Sequence, residues 1–314
     1  MSNPSTLGYA LIGKETTWAT TTSATKDVGL LIDSVVPAFE REIIPTSTIS
    51  SIAVQKITSG VAGGKLSLSG SLQHSRLFDY ILGLATHALT GSDTKHTFPL
   101  DNAPKSLTAE VGINNTTDVV TKIDGLLCES AEISVGLNSN LSVSTSWAGR
   151  IPTNSASASS SVISTLQVFP APICNVLIDT AAATEVQSAS ISITKSIERV
   201  AGISSVNYQQ AHAVSATFEF NATLGFTDKT YHDLMMGGTT PSGSPTAFEF
   251  TISANNGVTQ GSGRREFLNT LNNCMSSGWD QPIEVGGIIF VTINGQGTFS
   301  TAYGVDNITS ANWG

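Results

Sequence analysis

His87 and His96 flank the polar stretch "HALTGSDTKH", and with Asp93 between them they offer two imidazoles and a carboxylate to a divalent metal. The set has no rigid helical spacing and no third imidazole, so exposed loop histidines are the expectation; His74, His212 and His232 have no evident partner. "SGVAGGKLS", Ser59 to Ser67, looks like a phosphate-binding loop. Its Gly60 and Gly64 stand one residue too close together, and Leu66 occupies the place of the hydroxyl that binds magnesium. The residues that follow alternate like a strand, whereas a phosphate loop must open a helix whose N-terminus holds the anion. A glycine-rich turn feeding a strand is expected instead. The carboxylates Glu40, Glu42, Asp79, Asp228 and Asp233 offer no preferred acid–base pair and read as surface charges and caps. No GxSxG elbow and no Cys/His/Asn set at a known spacing occurs. Trp18, Trp147, Trp279 and Trp313 form no sugar-stacking platform, and Trp147 reads as core or interface. The expectation is a chain that is not an enzyme, with no catalytic residue, metal or cofactor.

Composition narrows the classes further. The chain has 314 residues, 40% of them hydrophobic, and only 12% charged, against roughly 25% in an ordinary soluble domain. Ser, Thr, Gly, Ala and Asn fill the gap, which suits a β-rich surface covered largely by copies of itself. The net charge is −9 and the one adjacent basic pair is Arg264-Arg265. A sequence-reading DNA binder needs basic stripes, so that class is excluded, although DNA sliding past without binding is not. Cys128, Cys174 and Cys274 are too far apart for a disulfide framework or a zinc pattern and are expected as free thiols. No secretory leader is apparent in "MSNPSTLGYALIG", and no apolar run is long enough for a membrane span, so no membrane insertion is expected.

The elements that must carry this surface are strands. "KLSLSGSL", "SLTAEVGI", "AEISVGL", "LSVSTSW", "SASISIT", "ATFEFNATL", "FEFTIS" and "IIFVTI" alternate apolar and polar residues, as strands with one buried face do. Turn signals separate them at Asn114-Asn115, Asn255-Asn256-Gly257 and Asn294-Gly295. Short helices are predicted around Leu77, Phe78, Ile81 and Leu82, and around Tyr231, Leu234 and Met235; Arg265 to Met275 is a third candidate. The second half follows the first. Leu66, Leu68, Gly70, Leu72 and His74 fall on Phe218, Phe220, Ala222, Leu224 and Phe226 at a constant shift of 152. "FDYILG" then falls on "YHDLMMG", "LTAEVGINN" on "FEFTISANN", and "LNSNLSVSTSW" on "INGQGTFSTAY"; Glu40-Arg41 matches Glu198-Arg199. The shared order is the signature of a repeat. The uncharged "NSASASSSVIST", 154–165, reads as a linker. The fold class is therefore mainly β (α+β): two tandem β-sandwich or β-barrel domains, 1–164 and 165–314, each with a short flanking helix, the first preceded by an N-terminal arm.

At this point the residues resemble a known family. "GKETTWATTTSAT", Gly13 to Thr25, is similar to the opening phrase of phage major tail tube proteins, with Ala19 where glycine is usual. "SSIAVQKITSGVAGGKLSLSGSLQHSRLFDYILG" resembles that family's loop–strand–helix segment. "VQSASISITKSIERVAGISS" and "AHAVSATFEFNATLGFTDKTYHDLMMG" resemble its second-half counterpart. The resemblance implies a structural virion protein whose two tube domains build trimeric, pseudo-hexameric rings. These stack into a hollow tail tube through which double-stranded DNA passes without sequence-specific binding. It also implies a tape measure protein and tail terminator or tip proteins as partners, and a place in the virion tail after assembly in the host cytoplasm. The alternatives are a receptor- or carbohydrate-binding β-sandwich tail component, or the tube of a non-viral contractile injection system.

Unpaired strand edges invite copies of the chain, and head-to-tail contacts close a ring where the rotation allows. The barrel strands are expected at Leu66, Leu68, Leu72, Ile133, Val135, Leu141, Val143, Trp147, Phe218, Phe220, Leu224, Ile289, Val291, Phe299 and Tyr303. Two long segments, Ile43 to Gly64 and Val200 to Ala213, lack a core pattern and are expected as loops that reach a neighbouring subunit or ring. Their interface residues are Ile43, Thr46, Ile49, Gly60, Gly64, Val200, Ile203 and Tyr208.

Overall fold

Alternation of the kind seen in "KLSLSGSL" forces one face of a segment inward and leaves its backbone to seek partners on both sides. The computed structural model describes residues 8–46, 54, 56–103, 105–113, 119–155, 166–225, 231, 233–234, 247–258, 264–280, 289–308 and 313. Its strands are β1 (Gly8–Lys14), β2 (Lys26–Asp27), β3 (Leu30–Thr46), β4 (Lys56–Leu72), β5 (Thr86–Thr90), β6 (Asp93–Phe98), β7 (Leu107–Ile113), β8 (Val119–Gly136), β9 (Ser142–Gly149) and β10 (Thr153–Ser155). They continue as β11 (Cys174–Ile178), β12 (Ala181–Ala182), β13 (Val186–Ala201), β14 (Tyr208–Gly225), β15 (Phe248–Asn255), β16 (Glu266–Asp280) and β17 (Phe290–Asp306). A short helix, α1 (Phe78–Ile81), follows β4. No helix among the described residues is long and apolar enough to cross a membrane.

Among the described residues the ladders between these strands are antiparallel, and one isolated parallel bridge joins Ala62 to Asn207. The main layer runs β3–β4–β9–β8 in the first half and β13–β14–β17–β16 in the second. A second layer runs β2–β1–β7–β8 in the first half and β12–β11–β15–β16 in the second. A ladder from Ser130↔Thr194 to Gly136↔Ser188 joins β8 to β13, so the two main layers form one continuous curled sheet. The β5–β6 hairpin lies along the end of β17, from Phe98↔Ala302 to Thr94↔Asp306. One apolar core runs through both halves, with Trp147, Phe78, Phe220 and Phe250 all fully buried in it. The Phe220 ring stacks on Phe250 with centroids 5.0 Å apart and meets Phe248 edge-on at 5.4 Å; truncating a phenylalanine so placed costs about 3–5 kcal/mol.

The helix is where expected, and Leu77, Phe78, Ile81 and Leu82 are fully buried. It spans one turn, and just beyond it Gly83 passes so close to the Pro99 carbonyl and Asp101 that a side chain would collide with them. Tyr231, Asp233 and Leu234 are helical; Met235 lies outside the described residues, as do Asn114, Asn115 and most of the 154–165 segment, whose Asn154 and Ser155 close β10.

Several expectations give way to the structure. Arg265 to Met275 is not a helix: β16 covers it, burying Phe267, Asn269 and Leu271 on alternate residues until Asn273 enters a left-handed conformation at φ 49° and shifts the register. Asn294-Gly295 is no turn but the middle of β17, where Gly295 leaves room for the edge of the Phe220 ring. Gly60, Gly63 and Gly64 lie within β4 rather than in a turn before it. The segments expected as long loops are the outer parts of two extended hairpins, β3–β4 and β13–β14. The repeat alignment also slips at its end. Val143 stands opposite Gly70 as Ile293 stands opposite Ala222, so Val143, not Leu137, matches Ile293.

Candidate assembly surfaces

The curled sheet has one face packed on the core and one open. Along the open face the side chains are Ser67 and Ser69 of β4, Ser142, Ser144 and Ser146 of β9, and Ser130, Glu132 and Ser134 of β8. They continue with Ser190, Ser192 and Thr194 of β13, Thr217, Glu219 and Asn221 of β14, and Thr292, Asn294 and Gln296 of β17. Two depressions of about 380 and 650 Å³ lie on it, the first across β3, β4, β9, β8 and β13, the second across β8, β13, β14, β16 and β17. That face is concave and rich in hydroxyls and amides, and its carboxylates among the described residues include Glu132, Glu219 and, at the β16 edge, Asp280. The one lysine at its margin, Lys65, lies 3.3 Å from Glu40.

The sheet ends in two edges. β3 pairs with β4 alone, and the Met275–Asp280 stretch of β16 pairs with β17 alone among the described residues. An unpaired edge exposes a row of backbone donors and acceptors, which is a template for another strand. Pro37 sits in β3, an edge strand, where a missing N–H is tolerated.

Two hairpin arms project past the core. Phe39, Ile43, Ile44 and Ile57 are exposed on the first arm, and Val200, Ile203, Val206 and Val214 on the second. The turn end of the second arm is joined to the first arm near its base. The Ala62 N–H donates to the Val206 carbonyl at 2.9 Å, and Arg199 Nη1 forms an ion pair with Glu40 Oε1 at 2.5 Å. The Arg199 guanidinium also covers the Tyr208 ring at 4.4 Å. Burial alone acts to raise the Glu40 pKa; hydrogen bonding and charge from Arg199, then Lys65, outweigh it and hold the carboxyl below its ordinary value.

The residues expected at interfaces divide accordingly. Ile43, Thr46, Val200 and Ile203 are exposed on the arms, Gly60 and Tyr208 are half-buried, and Gly64 is buried; Ile49 lies outside the described residues. The residues expected on barrel strands, Leu66, Leu68, Leu72, Ile133, Val135, Val143, Trp147, Phe218, Phe220, Leu224 and Val291, point to the core side of the sheet. Leu141 precedes β9 and is buried, Ile289 precedes β17, and Phe299 and Tyr303 are half-buried on β17. The residues of the concave face are their polar neighbours in sequence, legible from the same alternation.

The groups that suggested chemistry serve structure. His87 and His96 face each other across β5 and β6 with Nδ1 atoms 2.7 Å apart, so one imidazole donates and the other accepts. His96 Nε2 reaches Asp306 at 3.1 Å, and its ring stacks on Trp313 at 3.6 Å. Burial, then the charges of His96 and Lys14, push the His87 pKa down. Trp313 donates to Asp79 at 2.8 Å; Asp79 is buried rather than a surface charge, and burial raises its pKa. His74 has a partner after all: its Nε2 lies 2.6 Å from Asp27, which also pairs with Arg76. No group of three or more His, Cys, Asp or Glu among the described residues is set to hold a metal ion. Burial pushes the thiols up, Cys128 to about 12 and Cys174 and Cys274 to about 11, where they are poor nucleophiles.

Sequence reasoning missed Glu15. Its buried carboxylate accepts from the N–H groups of Ala19 and Gly125, each at 2.8 Å, from Thr108 Oγ1 at 2.8 Å, and from Ser106 Oγ at 2.5 Å. Trp18 Nε1 donates to the Gly125 carbonyl at 3.1 Å. The phrase "GKETTW" is thus a clasp fastening the chain after β1 to the β7–β8 layer. Ala19 sits in the left-handed region at φ 56°, a conformation glycine adopts without strain.

The family model of the phage tail tube protein matches residues 5–297 of the chain. The chain belongs to the phage tail tube protein family, a structural family rather than an enzyme family, and its place is the virion tail. A search of curated proteins returned no match.

Proposed function

We propose that three copies of this chain close into a ring with sixfold pseudosymmetry, and that stacked rings form the tube through which double-stranded DNA leaves the virion. Residues 1–164 and 165–314 act in it as two repeats of one tube unit. The reading rests above all on the concave face: a continuous curled sheet with two free edges offers only a segment of a barrel. Among its described residues that face offers phosphate carboxylates that repel it and neutral hydroxyls and amides that hold it with no ionic contact, so DNA slides past without sticking. Ile43, Thr46, Ile49, Gly60, Gly64, Val200, Ile203 and Tyr208 serve contacts between subunits and rings. The arms carry exposed apolar side chains beyond the core, and burial against the next ring removes that surface from water. A tape measure protein within the lumen and terminator and tip proteins at the ends complete the partners, with assembly in the host cytoplasm.

Electron microscopy of the purified chain, with ring mass from mass photometry, tests this. The expected result is hollow filaments with a ring repeat and three chains per ring. A chain that stays at its monomer mass of 32.7 kDa at every concentration would refute it, and glycan binding by such a monomer would favour the adhesive alternative.

A further inference from the structure

The molecule contains one finished copy of the joint that ring closure requires. Along β8–β13, Ser130 faces Thr194, Glu132 faces Ser192, Ile133 faces Ile191 and Ser134 faces Ser190. The first half ends its main layer in β8 and the second ends in β16; the second begins in β13 and the first in β3. From this we infer that the free stretch of β16 pairs antiparallel with β3 of a second copy, in the register of the internal joint.

The register follows from matched positions. Ile133 is opposite Val143, which is opposite Gly70; Trp279 is opposite Ile293, which is opposite Ala222. Ile133 and Trp279 therefore hold equivalent places. Val35 is opposite Leu68 and Ile191 opposite Phe220, which makes Val35 and Ile191 equivalent. Cysteines agree independently. Cys128 is opposite Trp147, itself opposite Leu66, and buried Cys274 lies against Gly297, itself opposite Phe218. Carrying the joint across, Met275 faces the partner's Ala38, Gly278 the partner's Val36, Trp279 the partner's Val35, and Asp280 the partner's Ser34.

Side-chain exposure supports a second copy as the occupant. Val36, Phe39 and Met275 are 53%, 52% and 49% exposed on the two edges. In this register Met275 meets the partner's Val36 and Ala38 on the concave side. The partner's Phe39 comes beside Cys274, as Lys195 lies beside Cys128 within the chain. A polar peptide or glycan would leave these apolar groups wet, whereas a head-to-tail seam sets the β16 edge of one copy against the β3 edge of the next and covers the apolar groups of both.

This inference rests on the tube reading, and disulfide trapping separates the two. In a Cys174→Ser background, the in-register pairs Ser34→Cys with Asp280→Cys and Val36→Cys with Gly278→Cys are compared with the shifted pairs Ser34→Cys with Gly278→Cys and Val36→Cys with Asp280→Cys. Circular dichroism verifies folding before assembled material is oxidised with copper phenanthroline. Directly opposed Cβ atoms meet disulfide geometry and diagonal ones do not. Both in-register pairs should give a covalent ladder ending at a closed oligomer, with shifted pairs yielding roughly a tenth as much. Tubes whose shifted pairs cross-link better overturn the register and leave the tube reading intact. Absence of any assembly by the wild-type chain overturns both.

Discussion

Asp27 offers the sharpest test of how the chain is held together. Its carboxylate lies 2.6 Å from His74 Nε2 and pairs with Arg76 Nη1, while the Gln73 and His74 N–H groups donate to the Gly29 carbonyl. The turn between β2 and β3 is thereby clasped to the segment that leads into α1. Burial acts to raise the Asp27 pKa. The hydrogen bond from His74 and the charges of His74 and Arg76 overcome this and lower it from 3.8 to about 2. A depressed carboxyl contributes stability that is complete above its unfolded pKa and disappears as pH falls toward the folded one. At about 1.36 kcal/mol per unit, the shift corresponds to roughly 2 kcal/mol, of which about 1 kcal/mol is lost by pH 3. Asp27→Asn removes this titration. Urea unfolding of the unassembled chain, followed by tryptophan fluorescence from pH 5 to pH 3, keeps clear of the ordinary histidine range. The wild type should exceed the variant by about 2 kcal/mol at pH 5, with the gap narrowing by about 1 kcal/mol at pH 3. A gap that stays constant across the window refutes the clasp.

Lys195 is buried on β13 with no hydrogen-bond partner for Nζ among the described residues, and burial lowers its pKa. Lys195→Met should stabilise the chain by about 1–2 kcal/mol at pH 7. Because the unfolded chain binds the proton more tightly, wild-type stability should rise with pH toward 10 and close that gap; denaturation curves at pH 7 and 9.5 measure it. Ala19→Gly should stabilise by about 0.5 kcal/mol, the left-handed strain relieved less the added chain entropy. Ala19→Val should destabilise by more than about 1 kcal/mol; equal losses in both, read by urea midpoint, speak against strain at that residue.

The sequence by itself determined wherever one face of an element had to be dry. β4, β9 and β14 were legible because apolar residues such as Leu66, Val143, Trp147 and Phe220 alternate with small polar ones, and α1 because four apolar residues share a face. The same alternation marks the serines of the concave face. The arms were not legible as strands: beyond Phe39 both faces meet solvent within one chain, so no alternation is imposed on the residues. Arg265 to Met275 imitated a helix because a left-handed Asn273 and a buried Asn269 break the period of two. Asn294-Gly295 imitated a turn because a glycine that makes way for the Phe220 ring is indistinguishable, in one dimension, from a glycine that reverses the chain. Tertiary structure alone decided the pairings of His74 with Asp27, Asp79 with Trp313, and Glu15 with Ser106, Thr108 and Gly125, since these partners lie far away in sequence. It alone decided that β8 meets β13 and leaves β3 and β16 open. Side-chain periodicity specifies which face of a strand is buried, but which backbone edge finds a neighbour depends on how distant segments curl toward one another.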